Sequence, residues 1–255
     1  MSKKLAIELN NVNKIYPNGT IALENMSLSI NEGEFISLVG PSGCGKSTVL
    51  RIIAGLSGMN TGSITWGDRH LQKQLAFVFQ EAALMPWANV IDNVKLPLKL
   101  AKISTQEAQI ACEETLKLVG LKGFELAYPR ELSGGMKMRV SIARSLITKP
   151  QVLLMDEPFG ALDEITRSKL NGDLLKLWYN QRWTVVFVTH NIYEAVYMSN
   201  RVIVMAARPG KVVADIKINS PYPRTEDFRT DEIYIKYCRE VSHCLFAAMA
   251  ETENQ

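Results

Sequence analysis

Nowhere in the 255 residues do about 18 apolar side chains follow one another, so no segment can cross a bilayer as a helix. Any membrane link has to run through a partner. The chain is also short of concentrated positive charge. Its formal net charge is +3, and no run of Lys or Arg is dense enough to form a basic stripe, which argues against a nucleic-acid partner. Cysteine is scarce too. Cys44, Cys112, Cys238 and Cys244 share no metal-ligand spacing and do not resemble a disulfide framework in a chain of this length, which fits a reducing, cytosolic setting. The opening "MSKKLAIELNNVNK" lacks both the apolar core and the small-residue cleavage site of a secretory signal, so it is expected to stay on the mature protein. There is no internal repeat and no low-complexity segment.

What the chain does have is an ordinary globular balance, 47% hydrophobic and 22% charged, enough for a substantial core. Residues 5 to 9 ("LAIEL") and 26 to 30 ("MSLSI") alternate at period two around the turn-rich "YPNGT" and predict antiparallel strands with one solvated face. "EFISLVG" is an almost wholly apolar strand leading into a glycine loop. "STVLRIIAGL" follows at helical spacing, with Val49, Leu50, Ile52, Ile53 and Leu56 as its apolar set. "QLAFVFQ" predicts a short strand ending at Gln80, and residues 104 to 121 and 136 to 147 predict helices flanking the loop "YPRELSGG". "QVLLMDEP" and "WTVVFVTH" are buried strands joined by the helical stretch "LDEITRSKLNGDLLKLW".

Alternation of buried strand and amphipathic helix implies a parallel sheet covered on both faces, whose ligands sit at the carboxyl ends of the strands. From about residue 208 the pattern loosens, before a final helix near 231 to 250. Its Ile233, Val241, Leu245 and Met249 are expected to cover the chain's own core.

"GPSGCGKST", residues 40 to 48, satisfies G-x-x-x-x-G-K-[ST] between a buried strand and a helix. Gly40, Gly43 and Gly45 permit a loop whose N-H groups turn inward on an anion, and Pro41, Ser42, Cys44 and Thr48 complete it. Lys46 would neutralise the β and γ phosphates of a nucleotide, and Ser47 would hold Mg2+.

Asp156 and Glu157 end an apolar strand. Alone they could be a solvated acidic pair; beside a phosphate loop they suit a metal-nucleotide complex, Asp156 near Mg2+ and Glu157 polarising the attacking water. His190 ends the next strand as either a satisfied polar residue or a functional one. Gln80 could reach the metal or water through its amide, and Tyr16 could stack on an adenine ring or simply pack in the β layer.

Taken together, the phosphate loop, Gln80 after "AFVF", "LSGGM" at 132 to 136, "VLLMDEP" at 152 to 158, "ALD" at 161 to 163 and His190 after "VVFVT" resemble the ATP-binding-cassette family across nearly the whole chain. The resemblance implies an α/β P-loop NTPase fold of RecA-like type. It would have a mainly parallel sheet core, an N-terminal antiparallel β subdomain and an inserted α-helical subdomain at about 85 to 150, in one ABC ATPase domain over 1 to 255 with a C-terminal tail from about 208.

It implies ATP and Mg2+ as cofactors and a head-to-tail homodimer in which Ser133, Gly134 and Gly135 of one chain close over the ATP held by the other. Glu157 would drive hydrolysis with His190 and Lys46, Tyr16 would stack on adenine, and Gln80 would link the metal site, formed with Ser47 and Asp156, to the helical subdomain. Asp163 would lie at the dimer seam. The family's signature usually ends in Gln where this chain has Met136. Activity is expected to survive, because Ser133 and backbone N-H groups bind the phosphate.

Within the family the chain is most similar to ATPase subunits of bacterial nitrate, sulfonate and taurine importers, through "FVFQEAALMPWANVIDNV", "LSGGMKMRVSIARSL" and "MDEPFGALDEITR". That places it on the cytoplasmic face of the inner membrane as a peripheral subunit. The permease would be a separate protein, with a periplasmic solute-binding protein engaged indirectly. The apolar stretch from Leu84 to Val90 suits a groove for a permease helix, or else an ordinary packed loop.

Overall fold

The computed structural model describes residues 4–207 and 209–253. The ends of the domain expected over 1 to 255, and Arg208 where the tail was expected to begin, lie outside them. Five core strands run with every side chain buried or nearly so: β3 (Phe35–Val39), β6 (Val152–Asp156), β7 (Thr184–Val188), β8 (Arg201–Ala206) and, with alternate residues half-buried, β5 (Leu75–Val78). Continuous apolar runs of this kind are stable only when both faces of a sheet are covered. The strands pair in the order β5, β6, β7, β3, β8 and β9 (Lys211–Lys217), parallel except for β9, which runs antiparallel to β8.

Strand alternation sorts the core into two clusters. Phe35, Val185, Phe187, Leu153, Met155, Val202 and Val204 share one with the helices α5 (Gly134–Leu146), α6 (Glu164–Gln181), α7 (Ile192–Met198) and α8 (Glu232–Glu253). Ile36, Leu38, Val186, Val188, Leu154 and Ile203 face the other way. There they meet α1 (Lys46–Ile53) and a three-stranded antiparallel sheet of β2 (Ile21–Asn31), β1 (Leu5–Ile15) and β4 (Thr61–Trp66). Beyond β5, preceded by the short α2 (Arg69–Lys73), lie α3 (Val90–Leu100) and α4 (Thr105–Leu118), which pack with α5 as a helical layer. Among the described residues no helix is long and apolar enough to cross a membrane.

Several expectations need correction. The first two strands are each 11 residues long, extending well past the five-residue stretches of clear alternation, because β-bulges interrupt their register. Helix α1 stops at Ile53, and Gly55 at φ 71 turns the chain away, leaving Leu56 61% exposed rather than in the core. β5 stops at Val78 and β7 at Val188, so Gln80 and His190 lie in the bends beyond their strands.

Residues 211 to 217 form an edge strand whose exposed and half-buried residues alternate, which the loosening pattern there had hidden. Helix α8 does cover the core, through Val241 and half-buried Leu245 as expected but also through Tyr234, Cys238 and Ala248, whereas Ile233 and Met249 are each 39% exposed.

Trp178 of α6 anchors the α-face cluster. It is 1% exposed, sits edge-on to Phe35 with ring centroids 5.8 Å apart, and donates its indole N-H to the Trp183 carbonyl at 2.8 Å. Trp178→Ala is therefore expected to cost about 3 to 5 kcal/mol of stability, measured by urea denaturation, and an unchanged midpoint would refute this anchoring role.

Candidate functional site

Parallel pairing sets the carboxyl ends of β3, β7 and β6 side by side. Leu38 is paired with Val188 and Val188 with Asp156, so the residues just past each strand emerge along one edge. From β3 the chain enters the glycine loop. Gly43 (φ 79) and Gly45 (φ 90) adopt left-handed conformations that L side chains rarely take. At Gly40 the demand is space, since a Cβ would lie 2.6 Å from Cys44 Sγ and 2.7 Å from the Met205 carbonyl.

The loop curls around Lys46, which is only 6% exposed and donates from Nζ to the carbonyls of Gly40 (2.8 Å) and Pro41 (3.0 Å). Buried Cys44 lies beneath, with its thiol pKa pushed up mainly by burial. Pro41 is half-buried and Ser42 exposed at the mouth. Thr48 is buried and exchanges a 3.2 Å hydrogen bond with the hydroxyl of Tyr16, which brings the tip of the antiparallel sheet to the loop. The Tyr16 ring carries Lys14 Nζ at 5.2 Å from its centroid.

Ser47 donates to Asp156 Oδ1 at 2.8 Å. Asp156 is 7% exposed, and burial raises its pKa above the ordinary carboxylate value, opposed first by the Ser47 hydrogen bond and then by the charge of Arg51. The hydroxyl and carboxylate form an all-oxygen pair of the kind Mg2+ prefers.

Glu157, next along, has φ 45 although it is neither Gly nor Asn and precedes Pro158. Such a backbone costs on the order of 1 to 3 kcal/mol and persists only where its surroundings hold it. Here Glu157 N donates to the Val188 carbonyl (3.0 Å) and Gly160 N donates back to the Glu157 carbonyl (3.1 Å). The strained turn aims Glu157 Oε2 at His190 Nδ1, 3.0 Å away. With Nδ1-H donating, a neutral His190 keeps Nε2 as a free acceptor.

The other sequence-predicted residues sit apart from this cluster. Gln80 is exposed in the bend after β5. Ser133 caps α5, its Oγ accepting from Met136 N at 3.3 Å, and the Met136 side chain packs against the core. Gly135 presses on α6, where a Cβ would meet Thr166 Cγ2 at 2.7 Å, and Gly134 on the segment before it, where a Cβ would meet Leu162 Cδ2 at 3.3 Å. Asp163 caps α6 through Thr166 N at 3.0 Å, which lowers its pKa.

The stretch from Leu84 to Val90 divides, with Leu84 packed on the core and Trp87 77% exposed. Sequence reasoning missed what shapes it. Buried Asn93 accepts from Met85 N and donates to the carbonyls of Met85, Ala88 and Asn89, while Arg144 donates to those of Ala82 and Ala83. It also missed Thr189, Asn191 and Glu194 around His190, although Asn-x-x-Glu ahead of apolar residues is a legible helix start.

Comparison with known proteins identifies the family. A family model described as ABC transporter matches residues 23–160. An ATP-binding protein of Brucella abortus is 44% identical over 255 residues, covering 99% of this chain and 98% of the relative. The aliphatic sulfonates import ATP-binding protein SsuB of Bacillus cereus is 43% identical over 228 residues, 87% of this chain and 90% of its own. Among solved structures, a dimeric ATP-binding cassette, MJ0796, in a post-hydrolysis state bound to ADP and Pi, superposes with a TM-score of 0.73 at 36% identity, covering 84% of this chain and all of that one.

The raised pKa of Asp156 has a consequence for stability. A carboxyl that holds its proton more tightly when folded contributes stability below the unfolded pKa and loses it as pH rises through the folded one. Asp156→Asn, which keeps an oxygen acceptor for Ser47, is therefore expected to melt above the unaltered chain at neutral pH. The gap should close as pH falls through the carboxylate range. A lower melting temperature at neutral pH would contradict this.

Proposed function

The chain belongs to the ABC transporter family and is an ATP-binding, ATP-hydrolysing cassette of P-loop NTPase fold; from that premise we propose that it energises a bacterial importer of a small polar or anionic solute. The observation that carries the reading is the row of Lys46, Ser47, Asp156, Glu157 and His190 along one sheet edge, with Glu157 held in a strained turn against His190.

In this reading Lys46 leaves the Gly40 and Pro41 carbonyls for the β and γ phosphates, whose other oxygens accept from the N-H groups of the loop. Ser47 and Asp156, with Gln80 from the bend after β5, would hold Mg2+, which would supply charge compensation on the phosphates. Glu157 takes the proton of the attacking water. His190, positioned through Nδ1, presents Nε2 toward the γ-phosphate, and Tyr16 offers its ring to adenine.

Ser133, Gly134 and Gly135 lie on another cluster and act on the nucleotide of a second copy, with Asp163 at the seam between copies. The dimeric state of the MJ0796 cassette supports this arrangement. The 255 residues then act as one ATPase domain whose helical layer, about 85 to 150, faces separate permease subunits at the cytoplasmic side of the inner membrane. A periplasmic binding protein serves the permease. The SsuB relatives, named for aliphatic sulfonates import, support a solute of the nitrate, sulfonate and taurine group.

Glu157→Gln is expected to keep ATP binding, to slow turnover at least about 100-fold, and to sediment as a dimer with ATP. Adding Ser133→Arg should return that variant to monomers. Full-speed turnover in the Gln variant, or a dimer indifferent to Ser133→Arg, would sink the reading. For the permease contact, exposed Trp87 is the test residue. Trp87→Asp should lose co-purification with integral membrane subunits from detergent extract while ATP binding persists, and retained co-purification would place the contact elsewhere.

A further inference from the structure

β7 ends at Val188 and α7 begins at Ile192, so Thr189, His190 and Asn191 lie outside both regular hydrogen-bond ladders. What holds this turn is a closed ring of side-chain bonds. Thr189, 3% exposed, donates its backbone N-H to the Leu38 carbonyl of the phosphate-loop strand at 3.2 Å. Its hydroxyl donates to Glu194 Oε2 at 2.5 Å and accepts from Asn191 N at 3.0 Å. Asn191 Oδ1 in turn accepts from Glu194 N at 3.1 Å. Every bond of the ring runs through Thr189, Asn191 or Glu194, and His190 is the one residue of the turn whose side chain is directed out of it, to Glu157.

Glu194 is an expensive choice for this task. It is 4% exposed, and within the described structure only its Oε2 makes a well-formed hydrogen bond, to the Thr189 hydroxyl, with Asn171 of α6 nearby. Burial pushes its carboxyl pKa up, with the Thr189 hydroxyl, Asn171 and the charge of Arg167 opposing. A carboxyl buried this deeply destabilises a fold that an apolar side chain would serve better, unless its bond is needed. A helix cap alone does not need it, because Asn191 already caps α7.

We infer that Glu194 is a positioning residue for turnover: by gripping the Thr189 hydroxyl it fixes the turn so that His190 Nδ1 meets Glu157 Oε2. This rests on the reading above that His190 acts on the phosphate.

The test is steady-state ATP hydrolysis by the full chain carrying Glu194→Ala, Glu194→Gln, His190→Ala and the His190→Ala, Glu194→Ala pair. Glu194→Ala is expected to lower kcat about tenfold or more with KM for ATP within about twofold. Glu194→Gln, whose amide oxygen still accepts from Thr189, should recover most of that loss. The paired variant should be no slower than His190→Ala alone, since Glu194 acts through the histidine.

Should the alanine variant not fold, Thr189→Val carries the same test, because it removes the hydroxyl while keeping the buried volume; its kcat should fall with KM held. Losses that multiply in the paired variant, or a kcat within about twofold of wild type for Glu194→Ala or Thr189→Val, would overturn the inference. Wild-type turnover in His190→Ala would instead overturn the assignment of His190, and this inference with it.

Discussion

The site depends on the register of three parallel strands. Because Leu38, Val188 and Asp156 lie in one line across β3, β7 and β6, the loop after the first, the His190 turn after the second and the acidic pair at the third emerge together. A one-residue slip of β6 would send Asp156 to the opposite face and turn Glu157 away from His190. The register is protected by burial on both faces, since any slip would exchange the side chains of two dry cores at once. Helices bind the sheet from one side and the antiparallel subdomain from the other, so chemistry at the edge inherits its precision from packing well below it.

Against that rigid base, unfavourable terms gather at the edge. Asp156 is a carboxylate in a dry setting, Glu157 is a non-glycine residue at φ 45 before a proline, and Lys46 spends its ammonium on two loop carbonyls. None of these improves the fold. Under the proposed reading each would have a use: a cation would compensate Asp156, and phosphate oxygens would give Lys46 a charged partner. Strain at Glu157 follows the same logic, for a relaxed extended backbone there would carry the side chain off along the strand direction.

Much of this was legible in the amino-acid order, for reasons that can be named. Runs such as "VLLMD" and "TVVFV" are apolar throughout because both faces are buried, and "GPSGCGKST" has its glycines where the loop takes positive φ or leaves no room for a Cβ. Other elements carried no such signal. β9 is an edge strand with charged and apolar residues on exposed positions, α3 holds Pro97 in its interior, and α8 buries Tyr234 and Cys238 beside Val241 while leaving Ile233 and Met249 partly exposed. Leu56 fits helical spacing, yet the positive φ of Gly55 ends the helix first. At the site, the individual residues were readable as candidates, whereas the Asn93 and Arg144 bonds that shape the Trp87 loop depend on tertiary approach that no local pattern records.

The turn at Ser133 shows why a short motif can have two independent causes. Gly135 has an intramolecular reason to lack a side chain, because Thr166 of α6 occupies the space. The same contact brings the beginnings of α5 and α6 together, and both helices present the positive end of a backbone dipole there. They do not present it equally. Asp163 caps α6 with an ionised carboxylate whose pKa its own cap lowers, so that end is neutralised, while Ser133 caps α5 with an uncharged hydroxyl. An anion approaching the pair is thus repelled by one helix start and received by the other. Under the proposed dimer, this difference would give α5 the field to receive a partner's phosphate and leave Asp163 beside it as a cap.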